Sequence, residues 1–195
     1  MDTPAADTVL FCPLKIGNGI ISIPMAPTYF AERASHPGTL AISEMAIISP
    51  RSCDYPHPPG IRRNAQAAAW KAVTAAVHAQ GSQIYLQIGT LGRVAHHLVL
   101  EEDVALFGLP KDSMLFVAPS LIPCSKDYPI PVELTTEEIK ALIKNFATAV
   151  RHAVNDANFD GMEVHGGYGF LIDQFIQDTA NQRTDSNGGN VENRS

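Results

Sequence analysis

Basic charge is scarce in this chain: 14 Lys and Arg stand against 20 Asp and Glu in 195 residues, a formal charge of −6. No basic cluster or run interrupts that balance, which argues against nucleic acid or an anionic membrane surface as a partner. Cysteine is equally sparse. Cys12, Cys53 and Cys124 are odd in number, far apart and in no CxxC or Cys/His ligand spacing. Neither a metal site nor a disulfide framework is expected, and the thiols read as reduced and partly buried. No apolar run approaches the length of a bilayer span, and the N-terminal MDTPAADTVLF lacks the basic and apolar regions of a secretory signal. The expectation is a soluble, cytoplasmic protein. With 45% hydrophobic and 17% charged residues, the length suits one domain with a sizeable core.

What is present is an alternation of apolar runs and helical stripes. Residues 1–10 read as a flexible tail, with a single domain over 11–195. Ile20 to Thr28 reads as a strand, Tyr29 to Ser35 as a short helix closed by His36-Pro37-Gly38, and Leu40 to Ser49 as a second strand. After a Pro-rich loop at 55–60, Asn64 to Gln80 reads as an Ala-rich helix with Trp70, Val73 and Val77 on one face, stopped by Gly81. Ser82 to Gly89 is a third strand, and Thr90 to Leu134 a long loop able to cover a site at the strand ends. Thr135 and Glu138 form a capping box. The helix behind it runs to about Asn155, with Ile139, Leu142, Ile143, Phe146, Val150, Ala153 and Val154 as its apolar stripe. Met162 to His165 is the fourth strand. Apolar strands alternating with helices imply a parallel sheet buried on both faces. Four βα units fit, about half of a (β/α)8 barrel of about 250 residues.

The stretch from Gly161 to Arg194 places His165 at the carboxyl end of a strand, where α/β proteins build their sites. His165, Gly169, the run Leu171 to Phe175, and then Asn181, Arg183, Asp185, Gly188, Gly189, Glu192, Asn193 and Arg194 closely resemble the motif after the fourth barrel strand of old yellow enzymes. These are FMN-dependent NAD(P)H oxidoreductases and ene-reductases. Phe11 to Asn18, Pro24 to Thr28, Arg33 to Pro50 and Gln83 to Ala95 extend the similarity over nearly the whole chain, as in a truncated fungal-type member. The resemblance implies that the Thr28 hydroxyl and the Gln87 amide meet the flavin ring, with backbone around Ala26 and Pro27 flanking it. It implies that His165 holds an enone or enal carbonyl oxygen, where a donor stabilises charge as hydride arrives. For Thr28 and Gln87 the competing role is to cap backbone groups at sheet ends. For Arg183, Asp185, Glu192 and Arg194 a structural role is favoured, and His96 and His97 read as solvated loop residues.

Three positions depart from the family. Tyr168 stands where a second carbonyl donor is usual, Phe170 where a tyrosine often protonates the α-carbon, and Met45 where a small glycine commonly lies near the flavin. Phenylalanine has no proton to give, so Tyr168 is the remaining candidate acid or carbonyl donor. The family's fifth-strand arginine and its phosphate site have no counterpart within these residues. Two functions therefore stand side by side. One is an FMN-dependent oxidoreductase that reduces, or isomerises, the alkene of an α,β-unsaturated carbonyl compound with NAD(P)H. The other is an inactive or flavin-free family remnant. Open sheet edges also suggest a homodimer.

Overall fold

The computed structural model describes residues 26–49, 59–95 and 116–194. The elements are α1 (Ala26–Arg33), β1 (Leu40–Ile42), β2 (Ala46–Ile47), α2 (Asn64–His78), β3 (Gln83–Gly89), β4 (Val117–Ala118), β5 (Val132–Glu133), α3 (Thr136–Arg151), β6 (Gly161–Val164), α4 (Leu171–Ile176) and α5 (Val191–Arg194). The described parts of Met1–Ala46, His57–Gln87 and Thr148–Glu163 form one compact unit. Those of Ile47–Pro56, Ile88–Ala147 and Val164–Ser195 form a second. Among the described residues, no helix is long and apolar enough to cross a membrane. Cys12, Cys53, His96 and His97 lie outside the described residues, and Cys124 is a free thiol that is exposed rather than partly buried.

One sheet is built on β3, which pairs with β1, β2 and β6. β1 runs parallel to it, Leu40, Ala41 and Ile42 lying opposite Gln83, Ile84 and Tyr85. The bonds from Asp160 N to Ile84 O and from His165 N to Ile88 O advance together along both chains, as parallel strands require. The run Leu40 to Ser49 is not one strand. Ser43 N still donates to Tyr85 O, but Gln87 N donates to the Ser43 hydroxyl in place of a backbone carbonyl, and the ladder breaks between β1 and β2. The expected burial of both sheet faces also fails. Ile84, Leu86 and Ile88 are buried, whereas Gln83 is exposed and Tyr85 and Gln87 are only half-buried. The polar and large residues sit at alternate positions, so one face of β3 is core and the other is open.

In the first unit α2 supplies the core face, burying Ala67, Trp70, Val73 and Val77. Trp70 donates its indole N–H to Gly60 O at 3.1 Å and meets Phe159 edge-on at 5.5 Å. Thr74, fully buried, satisfies its hydroxyl on Ala157 O at 2.7 Å. Gly81, at φ +72°, ends the segment in a conformation that favours glycine. Ala26, Pro27 and Thr28 are the first turn of α1 and not the end of a strand; residues 20–25 of that expected strand lie outside the described residues. Proline in a first helical turn has no backbone N–H to leave unpaired, so the local sequence suits a helix start.

In the second unit Val117, Leu134, Ile139 and Leu171 form a core cluster, with Leu142 and Phe175 against it. Among its described residues, the expected long loop over 90–134 contains a short helical turn at Gly92–Val94 and the parallel pair of β4 with β5. The capping box forms as read, Glu138 N donating to the Thr135 hydroxyl at 3.2 Å and Thr135 N to the Glu138 carboxylate at 2.9 Å. The helix behind it ends at Arg151 and continues as one wide π turn, His152–Asp156. Its apolar stripe is only partly covered. Ile139 and Ala153 are buried, but Ile143 is 62% exposed, and Val150 and Val154 are exposed too.

Candidate functional site

Each unit carries its own cluster of chemistry-bearing residues. In the first, the open face of β3 presents Tyr85 and Gln87, and the neighbouring strand presents Gly161 and Glu163. A Cβ on Gly161 would sit 2.5 Å from the Tyr85 ring, so the strand must be bare where the tyrosine lies across it. Two residues further, the Gln87 side chain donates through Nε2 to Glu163 Oε1 at 2.5 Å. A carboxylate only accepts, so the nitrogen end of the amide faces Glu163. The amide keeps a carbonyl oxygen and one N–H for another partner. Sequence reasoning missed Glu163. The signal was present, as the lone acid in an apolar strand. Thr28 is exposed on α1, Ala26 is buried and Pro27 half-buried.

In the second unit a glycine-rich bend follows β6. His165 is half-buried, with its ring centroid 4.5 Å from that of Phe170 at an interplanar angle of 33°, and 5.8 Å from that of Tyr168. Gly167 N approaches His165 Nδ1 at 3.4 Å. That long contact makes Nδ1 an acceptor, and in the neutral imidazole the ring proton then lies on Nε2. Tyr168 has φ +60° and is 90% exposed. The bend thus brings His165, Tyr168 and Phe170 together, with Tyr168 turned to solvent.

The bend is held from beneath. Gln174, buried, donates from Nε2 to Leu91 O at 2.8 Å and to Gly169 O at 2.6 Å, and accepts from Arg93 N at 3.2 Å. Gly169 N donates to Asp173, and Leu171 N to Thr90 O. Every polar atom of the Gln174 amide is used, so this glutamine locks two loops together.

The polar loop after α4 is structural. The Arg183 guanidinium is buried and donates to Pro119 O at 3.0 Å, Leu134 O at 2.6 Å, Glu133 at 3.1 Å and both oxygens of Asp185. The hydrogen bond with Asp185 raises the Arg183 pKa against the opposing effect of burial. It likewise holds the Asp185 carboxyl far below the usual carboxylate range, with Asn187 assisting. Near β6, burial of Asp160 works against its charge, but bonds from Ile84 N and His78 prevail and lower its pKa. Among the described residues, no group of three or more His, Cys, Asp or Glu could hold a metal ion.

Comparison with known proteins places this geometry in context. The chain is 45% identical over 192 residues to a chanoclavine-I aldehyde reductase of Penicillium roqueforti, covering 97% of this chain and 50% of the relative. It is 44% identical over 181 residues to a probable inactive reductase of Epichloe festucae var. lolii, covering 93% and 45%. The structure superposes on old yellow enzyme from Pichia sp. with a TM-score of 0.78 at 35% identity, covering 98% of this chain and 54% of that one. The chain spans about half the length of the curated relatives it matches. Its fold is accordingly about half of a (β/α)8 barrel. A sequence profile of the NADH:flavin oxidoreductase / NADH oxidase family matches residues 10–195, and the chain belongs to that family.

Proposed function

We propose that the chain acts in an FMN-dependent NAD(P)H oxidoreductase of old-yellow-enzyme type, on the activated alkene of an α,β-unsaturated aldehyde or ketone. The observation that carries the reading is His165, with Nδ1 turned to the Gly167 amide and Nε2–H left to donate to a carbonyl oxygen. The relative named as an aldehyde reductase supports a carbonyl-bearing substrate. Gln87 fits the cofactor's chemistry, since its amide offers a carbonyl and an N–H after Glu163 is satisfied, the pair a pyrimidine edge requires. Ala26, Pro27 and Thr28 are the further candidates to hold the ring, Thr28 through its exposed hydroxyl. FMN, when bound, would relay hydride from NAD(P)H to the alkene. The residues of this chain would hold the ring and orient the carbonyl.

Phe170 favours a second outcome at the same site. Its ring packs at 4.5 Å on His165 where a proton donor would be needed, and the Tyr168 hydroxyl belongs to a side chain turned to water. Isomerisation of the alkene would need no net proton, since hydride added at the β-carbon would return after rotation about the Cα–Cβ bond, whereas net reduction would need a donor at that position. An inactive or flavin-free remnant is the limiting case, consistent with a relative named as probably inactive. Among the described residues β6 pairs only with β3, and Val164 is exposed, which supports pairing of two copies at that edge as a homodimer. Sedimentation as a strict monomer at micromolar concentration would refute the dimer.

The test is an absorbance spectrum of the purified chain during titration with FMN, followed by enone turnover with NADPH and NADH. Stoichiometric flavin uptake together with loss of turnover in His165→Ala supports the oxidoreductase. No uptake at excess FMN leaves the flavin-free alternative.

A further inference from the structure

We propose that Glu163 is a positioning residue for the cofactor edge, selecting which way the Gln87 amide faces. The inference rests on the flavin reading above and adds to it a residue that acts through Gln87. A glutamine amide turned by half a rotation exchanges its donor and its acceptor, and only one of the two arrangements matches a ring that presents a fixed order of N–H and C=O. Glu163 removes the choice. Its carboxylate has no proton to offer, so the bond at 2.5 Å can form only with Nε2, and Oε1 is left for the ligand.

The backbone of Gln87 is held from the opposite strand. Ser43 accepts from Gln87 N at 3.0 Å, the contact that breaks the ladder between β1 and β2. One neighbouring strand therefore fixes the main chain of Gln87 and the other its side chain. A half-buried charge on an otherwise apolar strand is costly unless it is paired or hydrogen-bonded. Here it is spent on a single amide, on the open face of the sheet.

Two variants separate orientation from folding. Glu163→Leu removes the acceptor, whereas Glu163→Gln keeps a hydrogen-bonding partner but adds a donor and so admits both orientations of the Gln87 amide. In the ¹⁵N-labelled chain without FMN, the two side-chain amide protons of Gln87, assigned by their loss in Gln87→Leu, are expected to be widely split. That splitting should collapse in Glu163→Leu and narrow in Glu163→Gln. FMN affinity should fall about tenfold in Glu163→Leu and about twofold in Glu163→Gln, where about half of the amides face the ring productively. The midpoint potential of bound FMN should rise in Glu163→Gln, because a fixed negative charge near the ring disfavours its reduction. Unchanged amide signals and unchanged FMN affinity in Glu163→Leu would overturn the proposal. A chain with split signals that takes up no FMN would overturn the flavin reading and the amide's target, while leaving its orientation by Glu163 established.

Discussion

Replacing Arg183 by alanine should destabilise the second unit by about 3 kcal/mol, and the structure says where that figure arises. The guanidinium is 6% exposed, while its carboxylate partners Glu133 and Asp185 are 44% and 37% exposed. Those carboxylates can turn to water once the cation is gone, so each ion pair is worth at most about 1 kcal/mol. The carbonyls of Pro119 and Leu134 cannot, since both residues are buried. Each then becomes an unpaired buried acceptor, at about 1–3 kcal/mol apiece, with some relief from water entering the vacated space. Urea unfolding followed by fluorescence and circular dichroism measures the difference. Arg183→Lys should recover about half of it, because an ammonium can reach the carbonyls but cannot reproduce the two-pronged contact with Asp185. The pH dependence supplies a second check. Asp185 has a folded pKa depressed by Arg183, so its contribution is complete above the ordinary value of about 3.9 and is lost as pH falls toward the folded value. The stability gap between wild type and Arg183→Ala should therefore narrow on acidification below about pH 4. A loss under about 1 kcal/mol at neutral pH, or a gap that widens in acid, would refute the account.

Three further changes test other parts of the fold. Gly161→Ala puts a methyl 2.5 Å from the Tyr85 ring and should cost about 1–3 kcal/mol in thermal unfolding, with the penalty relieved when Tyr85 is also replaced by leucine. Gln174→Leu keeps the volume but strands Leu91 O, Gly169 O and Arg93 N, so about 2–4 kcal/mol should be lost. Faster amide hydrogen exchange at Leu171, whose N–H bonds Thr90 O in the loop that Gln174 ties down, should accompany that loss. Phe170→Tyr places a hydroxyl on the ring beside His165 and should raise net enone reduction relative to isomerisation in product analysis, with stability changed by less than about 0.5 kcal/mol. Equal product ratios in the two proteins would separate proton delivery from this position.

The alternation of strand and helix, the Thr135–Glu138 cap and the buried stripe of α2 were legible because each is a local pattern with a local cause. The misread elements have causes that lie elsewhere in the chain. Leu40 to Ser49 is apolar enough for one strand, but a serine hydroxyl takes the bond of Gln87 and splits it. Periodicity cannot register a side chain standing in for a carbonyl across a sheet. Ile143, Val150 and Val154 lie on the predicted apolar face of α3 and its π turn, yet they are exposed. A hydrophobic stripe states which face is suited to burial and is silent about what covers it. His165 was suggested by its motif, and the loop of Arg183 and Asp185, read as structural, is held by its own dense set of polar contacts.

Glu163 was passed over because an acid between two apolar residues in a short strand reads as noise until the partner strand is known. The partner changes its meaning. Opposite an apolar side chain it would be a misplaced charge, and opposite Gln87 it removes a two-fold ambiguity from an amide whose free edge is open. Of two polar residues at one site, the one able to meet a ligand was the easier to suspect. The one that decides how the first faces the ligand became visible only when the strands were set side by side.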